Sequence, residues 1–163
     1  MLKSNDGEKL TKITSLRCAT CCPYAEYLLV LLSYLSMALI ATYPVVTRIT
    51  TDIAGGGGDA LGYVWLIWWL RKSIWELHQT PWFTPYIFHP TGVTLLTSDL
   101  GPLMGLIGAV LVSVLGPAFT YNLLFVASFV LSGIGTYALA KFLTQNKFAS
   151  FFSGTVYAFS PFR

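Results

Sequence analysis

Residues 53–79 read IAGGGGDALGYVWLIWWLRKSIWELHQ: four glycines closed by an acid, then a helix-length segment holding Trp65, Trp68, Trp69 and Trp75. Each glycine costs about 1 kcal/mol in a helix relative to alanine, so residues 55–58 are expected to form a tight turn with exposed amides, neither helix nor strand. A helix is expected over 61–77, with Asp59 placed to cap it. No Lys-Ser/Thr pair follows the glycines, which argues against a nucleotide-cradling loop. Arg71, Lys72 and Glu76 are confined to the C-terminal half of the helix. Trp65, Trp68 and Trp69 share a face, and tryptophan prefers the headgroup region. With Trp75 they are expected to be interfacial anchors of a helix lying along the outer leaflet, a short re-entrant crossing being the alternative.

What surrounds this stretch sets the class. The chain has 163 residues, 55% of them hydrophobic and 10% charged, with a mean hydropathy of +0.64. Soluble domains carry about 25% charged residues, and here the apolar residues fall in long runs. The expected fold class is all-α: a polytopic membrane helical protein in which the Trp-rich segment is an outer-face juxtamembrane helix. Residues 1–23 are polar and read as a cytoplasmic tail. The run 24–47 is the first transmembrane helix, with Glu26 near its cytoplasmic end and Tyr24, Tyr27 and Tyr43 near its two ends. Residues 48–99 form an outer loop, in which Pro81, Pro85, Pro90 and Gly92 break the chain after the Trp-rich helix. Residues 100–116 are short for a span, and Gly101, Gly105 and Gly108 suit close packing or a re-entrant path. Residues 119–140 form a full span carrying the ridge Ser128, Ser132, Thr136 and Ala140. Residues 148–163 open a further membrane helix, interrupted at Pro161 and apparently truncated.

The net charge is +3. Lys3, Lys9, Lys12 and Arg17 ahead of the first span place the N-terminus in the cytoplasm and the protein in the cell membrane, multi-pass. If 100–116 does not cross, Lys141 and Lys147 also fall inside. Nucleic acid is not an expected partner, since no recognition pattern accompanies these few lysines. Cys18, Cys21 and Cys22 lack a nearby fourth metal ligand and read as reduced thiols beside a membrane helix. His78 and His89 lack zinc-helix spacing. Asp52 and Asp59 flank the glycine turn and could approach a divalent cation, although two carboxylates do not make a metal site; capping explains Asp59 equally well. A transporter would place ionisable residues at mid-membrane, and apart from terminal Glu26 the spans hold none.

The order of elements carries a resemblance. One membrane helix is followed by GGGGDALGYVWLIWWL, TPWFTPYIFHPTGVTLL, the glycine-rich LGPLMGLIGAVLVSVLGPAFTYNLLFVASFVLSGIGTYALAKFL, and SGTVYAFSPFR. Over residues 27–163 this resembles the N-terminal part of bacterial and archaeal proteins of the C-type (GT-C) glycosyltransferase superfamily. The resemblance implies transfer of a sugar from a polyprenyl-phosphate donor to an acceptor on the outer face, with Asp59 as the catalytic base or part of a metal or acceptor site. It leaves Asp52 as a possible helper or metal ligand and Arg71 and Lys72 as phosphate or lipid-headgroup contacts. Family members have many more spans, so this chain is expected to supply one wall of an active site and to be inactive alone. Its expected partners are membrane lipids, a polyprenyl-phosphate sugar, and the remainder of a longer polypeptide or a partner subunit. The alternative is a non-catalytic membrane subunit packing through its small-residue ridges.

Overall fold

Apolar runs free of interior glycine pairs become long helices, and proline and glycine set where they stop. In the computed structural model, which describes residues 6–55, 57–95 and 102–160 and the side chains of 24–55, 57–95 and 104–160, five α-helices carry the chain: α1 (Asp6–Ala41), α2 (Gly58–Arg71), α3 (Pro102–Leu115), α4 (Pro117–Thr144) and α5 (Lys147–Ala158). Two short strands, β1 (Phe83–Thr84) and β2 (Val93–Thr94), pair antiparallel, Phe83 opposite Thr94 and Thr84 opposite Val93. The thiols of Cys18, Cys21 and Cys22, the charged side chains before residue 24, and Asp99, Gly101 and Pro161 lie outside the described parts.

Helix α1 differs from the expected first span at both ends. It begins at Asp6, inside the stretch read as a tail, and stops at Ala41. Pro44 lacks an amide and disfavours helix in the residue before it, and a 3-10 turn over Val45–Arg48 follows. Between α3 and α4 the chain needs only Gly116, at φ +78°, because Pro117 suits the first position of the next helix. Asn146 caps α5, its side-chain oxygen accepting from the amides of Phe148 (3.0 Å) and Ala149 (3.2 Å). Among the described residues two helical stretches are long and apolar enough to cross a membrane, Tyr24–Ala41 and Pro117–Thr144. Large apolar side chains stand exposed on both, among them Leu28, Leu29, Leu32 and Ile40 on α1 and Leu131, Leu139 and Phe142 on α4. At 14 residues, α3 is about 21 Å long, short of a hydrocarbon core of about 30 Å.

The chain divides into two units. The first comprises Met1–Ala38 and Phe129–Arg163. Here α1 and α4 run antiparallel: Glu26 pairs with Lys141, while two turns further along α1 Tyr34 lies against Gly133. Tyr34 is fully buried, donates its hydroxyl to the Phe151 carbonyl at 3.0 Å and stacks on the Phe151 ring at 5.1 Å. A Cβ on Gly154 would stand 2.1 Å from the Tyr34 Oη and 2.7 Å from the Gly133 carbonyl oxygen. Three helices thus meet at one tyrosine and two glycines. A Cβ on Gly135 would meet open space.

The second unit is Leu39–Ser128. Its core is Leu66, Trp69, Leu70, Leu95 and Ala109, with Trp65, Trp68, Ile74 and Val93 packed against it. Helices α2 and α3 approach closely because Gly105 and Gly108 leave room for Leu70 and Ile67 respectively.

Candidate active site at the glycine-rich loop

The loop before α2 is held from α4. Asn122, 2% exposed, donates to the Ile49 carbonyl at 2.8 Å and the Asp52 carbonyl at 2.7 Å, and its oxygen accepts from the Ala54 amide at 2.9 Å. All of its side-chain groups are thereby used on one backbone segment. Gly55 (φ +92°) and Gly57 (φ +150°) then take conformations that side chains rarely adopt.

The turn is shorter than expected. Gly58 is already helical, Gly57 is the N-cap without a side-chain capping bond, and Asp59 sits inside the first turn of α2. Asp59 therefore does not cap the helix, because two glycines carry the chain in ahead of it. Its charge still lies favourably at the positive end of the helix dipole. Among the described residues the Asp59 carboxylate has no hydrogen-bonding or ion-pair partner.

Asp59 is exposed and lines a cleft of about 420 Å³. Gly58 and Gly62 leave the floor bare, Tyr63 stands one turn beyond the acid, and Ile87 and Leu95 close it from the segment after α2. A second cleft of about 320 Å³ shares Tyr63 and Leu66 with the first and is lined by Met104 from α3 and by Tyr121 and Phe125 from α4. Its wall is almost wholly apolar. Asp59 lines the first cleft and is not among the residues of the second.

The other expected site residues are placed elsewhere. Asp52 accepts at Oδ1 from the neighbouring Thr51 hydroxyl at 3.2 Å, and it does not line the Asp59 cleft. Arg71 lies twelve residues along α2 from Asp59, about 18 Å at the helical rise. Neither Arg71 nor Lys72 lines the Asp59 cleft. Lys72 instead sits over the Trp68 ring (5.1 Å to its centroid) and the Tyr86 ring (5.8 Å), with Glu76 at 3.6 Å. His78 and His89 are exposed. Among the described residues no three His, Cys, Asp or Glu side chains come together.

The tryptophans divide. Trp69 is fully buried and donates Nε1–H to the Pro81 carbonyl at 3.0 Å. It is core, not an interfacial anchor, because the proline-rich segment folds back over it and supplies the acceptor its indole needs. Trp65 stacks on Trp69, with 6.1 Å between centroids, and Trp68 and Trp69 both meet Tyr86. Trp75 is half exposed.

A polar cluster escaped the sequence reading. Glu26, 15% exposed at its side chain, accepts from Tyr137 and Lys141 at Oε1 and pairs with Lys147 at 2.6 Å through Oε2. Lys141 also lies 4.9 Å from the centroid of the Tyr27 ring. The available signal was an acid within an apolar run, which needs an ionic partner there. The lysines bounding α4 and α5 were the nearest candidates.

Comparison of the chain with protein-family models, curated proteins and solved structures finds no match.

Proposed function

We propose that the chain forms one wall of the active site of a polytopic membrane glycosyltransferase, with Asp59 as the base that takes or orients the acceptor hydroxyl. The observation that carries the reading is the pair of clefts sharing Tyr63 and Leu66, one with an unpaired carboxylate at its edge and the other apolar. A polyprenyl-phosphate sugar has chemistry of the same two kinds: its first isoprene units suit an apolar cleft of about 320 Å³, and its sugar hydroxyls suit a carboxylate. The GT-C resemblance supplies the reaction class. The first turn of α2 is left without a side-chain cap, and such a helix start favours an anionic group.

The exposed apolar residues of α1 and α4 favour the cell membrane as their surroundings. The antiparallel run of α1 and α4, with Glu26 binding Lys141 and Lys147, favours both lysines on the side of the N-terminus. That side is cytoplasmic by the positive-inside rule. The GT-C resemblance puts Asp59 on the outer face.

A non-catalytic subunit is the second reading, favoured by an open groove on α4 and α5 between Thr136, Phe152 and Tyr157. The two readings part on one assay. The native assembly containing this chain is purified and tested for transfer from polyprenyl-phosphate sugars with Asp59 intact and as Asp59→Asn. Loss of about 10²–10⁴-fold in rate, the range for removing a general base, supports the transferase. A native assembly without transfer, whose composition is unchanged by the substitution, supports the subunit.

A further inference from the structure

A second small cavity, of about 190 Å³, lies where α2 ends against α3, bordered by Arg71, Trp75, Ala109, Val110 and Ser113. Two cations there share one acid. Lys72 stands 3.6 Å from Glu76 and covers two aromatic rings, while the Arg71 guanidinium reaches the same carboxylate only at 3.9 Å and remains two-fifths exposed. The cluster therefore keeps one uncompensated positive charge, and the guanidinium is its accessible part. A guanidinium takes phosphate through two parallel hydrogen bonds.

The rest of the cavity narrows the ligand. Ser113 spends its hydroxyl hydrogen on the Val110 carbonyl at 2.6 Å, so toward the cavity its oxygen acts as an acceptor. A ligand that satisfies both groups carries an anionic phosphate and a hydroxyl donor. Leu106, Val110 and Val114 stand exposed at four-residue spacing on the adjoining face of α3, a strip suited to an acyl chain, and half-exposed Trp75 is of the residue type that lies at headgroup depth.

We propose that this cavity is a binding site for an anionic phospholipid with a hydroxyl-bearing headgroup, of the phosphatidylglycerol type. Arg71 holds the phosphate, Ser113 accepts from the headgroup hydroxyl, and one acyl chain follows Val110 and its neighbours. The site is separate from the Asp59 cleft and rests only on the membrane reading above.

The test uses the native assembly in detergent. Retention of phosphatidylglycerol is measured by native mass spectrometry against phosphatidylcholine, with inorganic phosphate as competitor. Arg71→Gln is expected to weaken phosphatidylglycerol retention by about tenfold, the loss of a charge-assisted contact. Glu76→Gln, which removes the competing carboxylate, is expected to strengthen it. Asp59→Asn is expected to leave it unchanged, and inorganic phosphate is expected not to displace the lipid. Equal retention of the two lipids, or no response to either Arg71→Gln or Glu76→Gln, overturns the proposal. Displacement by inorganic phosphate would do so by making the site one for free anions. Release of the chain from native membranes by alkaline carbonate would overturn the membrane reading beneath it.

Discussion

The two units of the chain spend their polar groups differently. In the unit of Met1–Ala38 and Phe129–Arg163, polar side chains on one helix are satisfied by groups on another: Glu26 by Tyr137, Lys141 and Lys147, and Tyr34 by the Phe151 carbonyl. In the unit of Leu39–Ser128, Lys72 and Glu76 pair within one helical segment, and two further polar side chains are spent on the backbone of irregular segments. Asn122 holds residues 49–54, and Trp69 holds Pro81. Fixing loops in this way leaves Asp59 at a cleft edge with no partner among the described residues.

This contrast can be broken by substitution. Asn122→Ala removes three hydrogen bonds to the loop backbone. At about 1 kcal/mol each, roughly 3 kcal/mol of stability should be lost, read as a lower thermal midpoint of the detergent-solubilised assembly and faster proteolysis at residues 49–58. An unchanged loop would mean that the glycines find their path without the clamp. Gly154→Ala in the other unit sets a Cβ against the Gly133 carbonyl oxygen and the Tyr34 Oη. Overpacking of this kind costs about 1–3 kcal/mol, and because a backbone atom is involved the upper part of that range is expected. Tyr34→Phe in the same background should recover part of the loss, since it removes the atom nearest the new methyl.

Glu26→Gln keeps the shape but deprives Lys141 and Lys147 of their shared acid. A loss of about 2 kcal/mol is expected from hydrogen bonds to a charged group, again read as a thermal midpoint, with no change in any reaction at Asp59. If transfer fell while stability held, the cluster would belong to the chemistry and the distinction between the units would fail. The smallest effect is expected from Trp69→Phe. It keeps most of the apolar volume but leaves the Pro81 carbonyl without its donor, at about 1 kcal/mol, with increased hydrogen exchange confined to the segment after α2.

Much of the helical order was legible because apolar run length and proline placement are local signals. The short α3, the stop before Pro117 and the break after the Trp-rich helix follow from residues that act on their own backbone. The discrepancies arise where a distant residue decides. Trp69 has the same sequence environment as Trp65 and Trp68, and only the return of Pro81 over its indole makes it core. Asp59 fits the cap pattern, but a glycine N-cap moved the helix start ahead of it. Asn122 is one polar residue near the start of a long apolar run, and its role becomes visible only when residues 49–54 are brought against it. Glu26 and its lysines are more than a hundred residues apart, so only the cost of an apolar-run acid pointed to them.

The most direct test of the central claim is photocrosslinking in native membranes with a polyprenyl-phosphate sugar analogue carrying a photoreactive group on the first isoprene units. The account predicts labelling of peptides that line the two joined clefts, centred on Tyr63 and Met104, competed by unmodified lipid-linked sugar and retained in Asp59→Asn while transfer is lost. Labelling confined to other parts of the chain, or labelling that the unmodified sugar lipid does not compete, would contradict it.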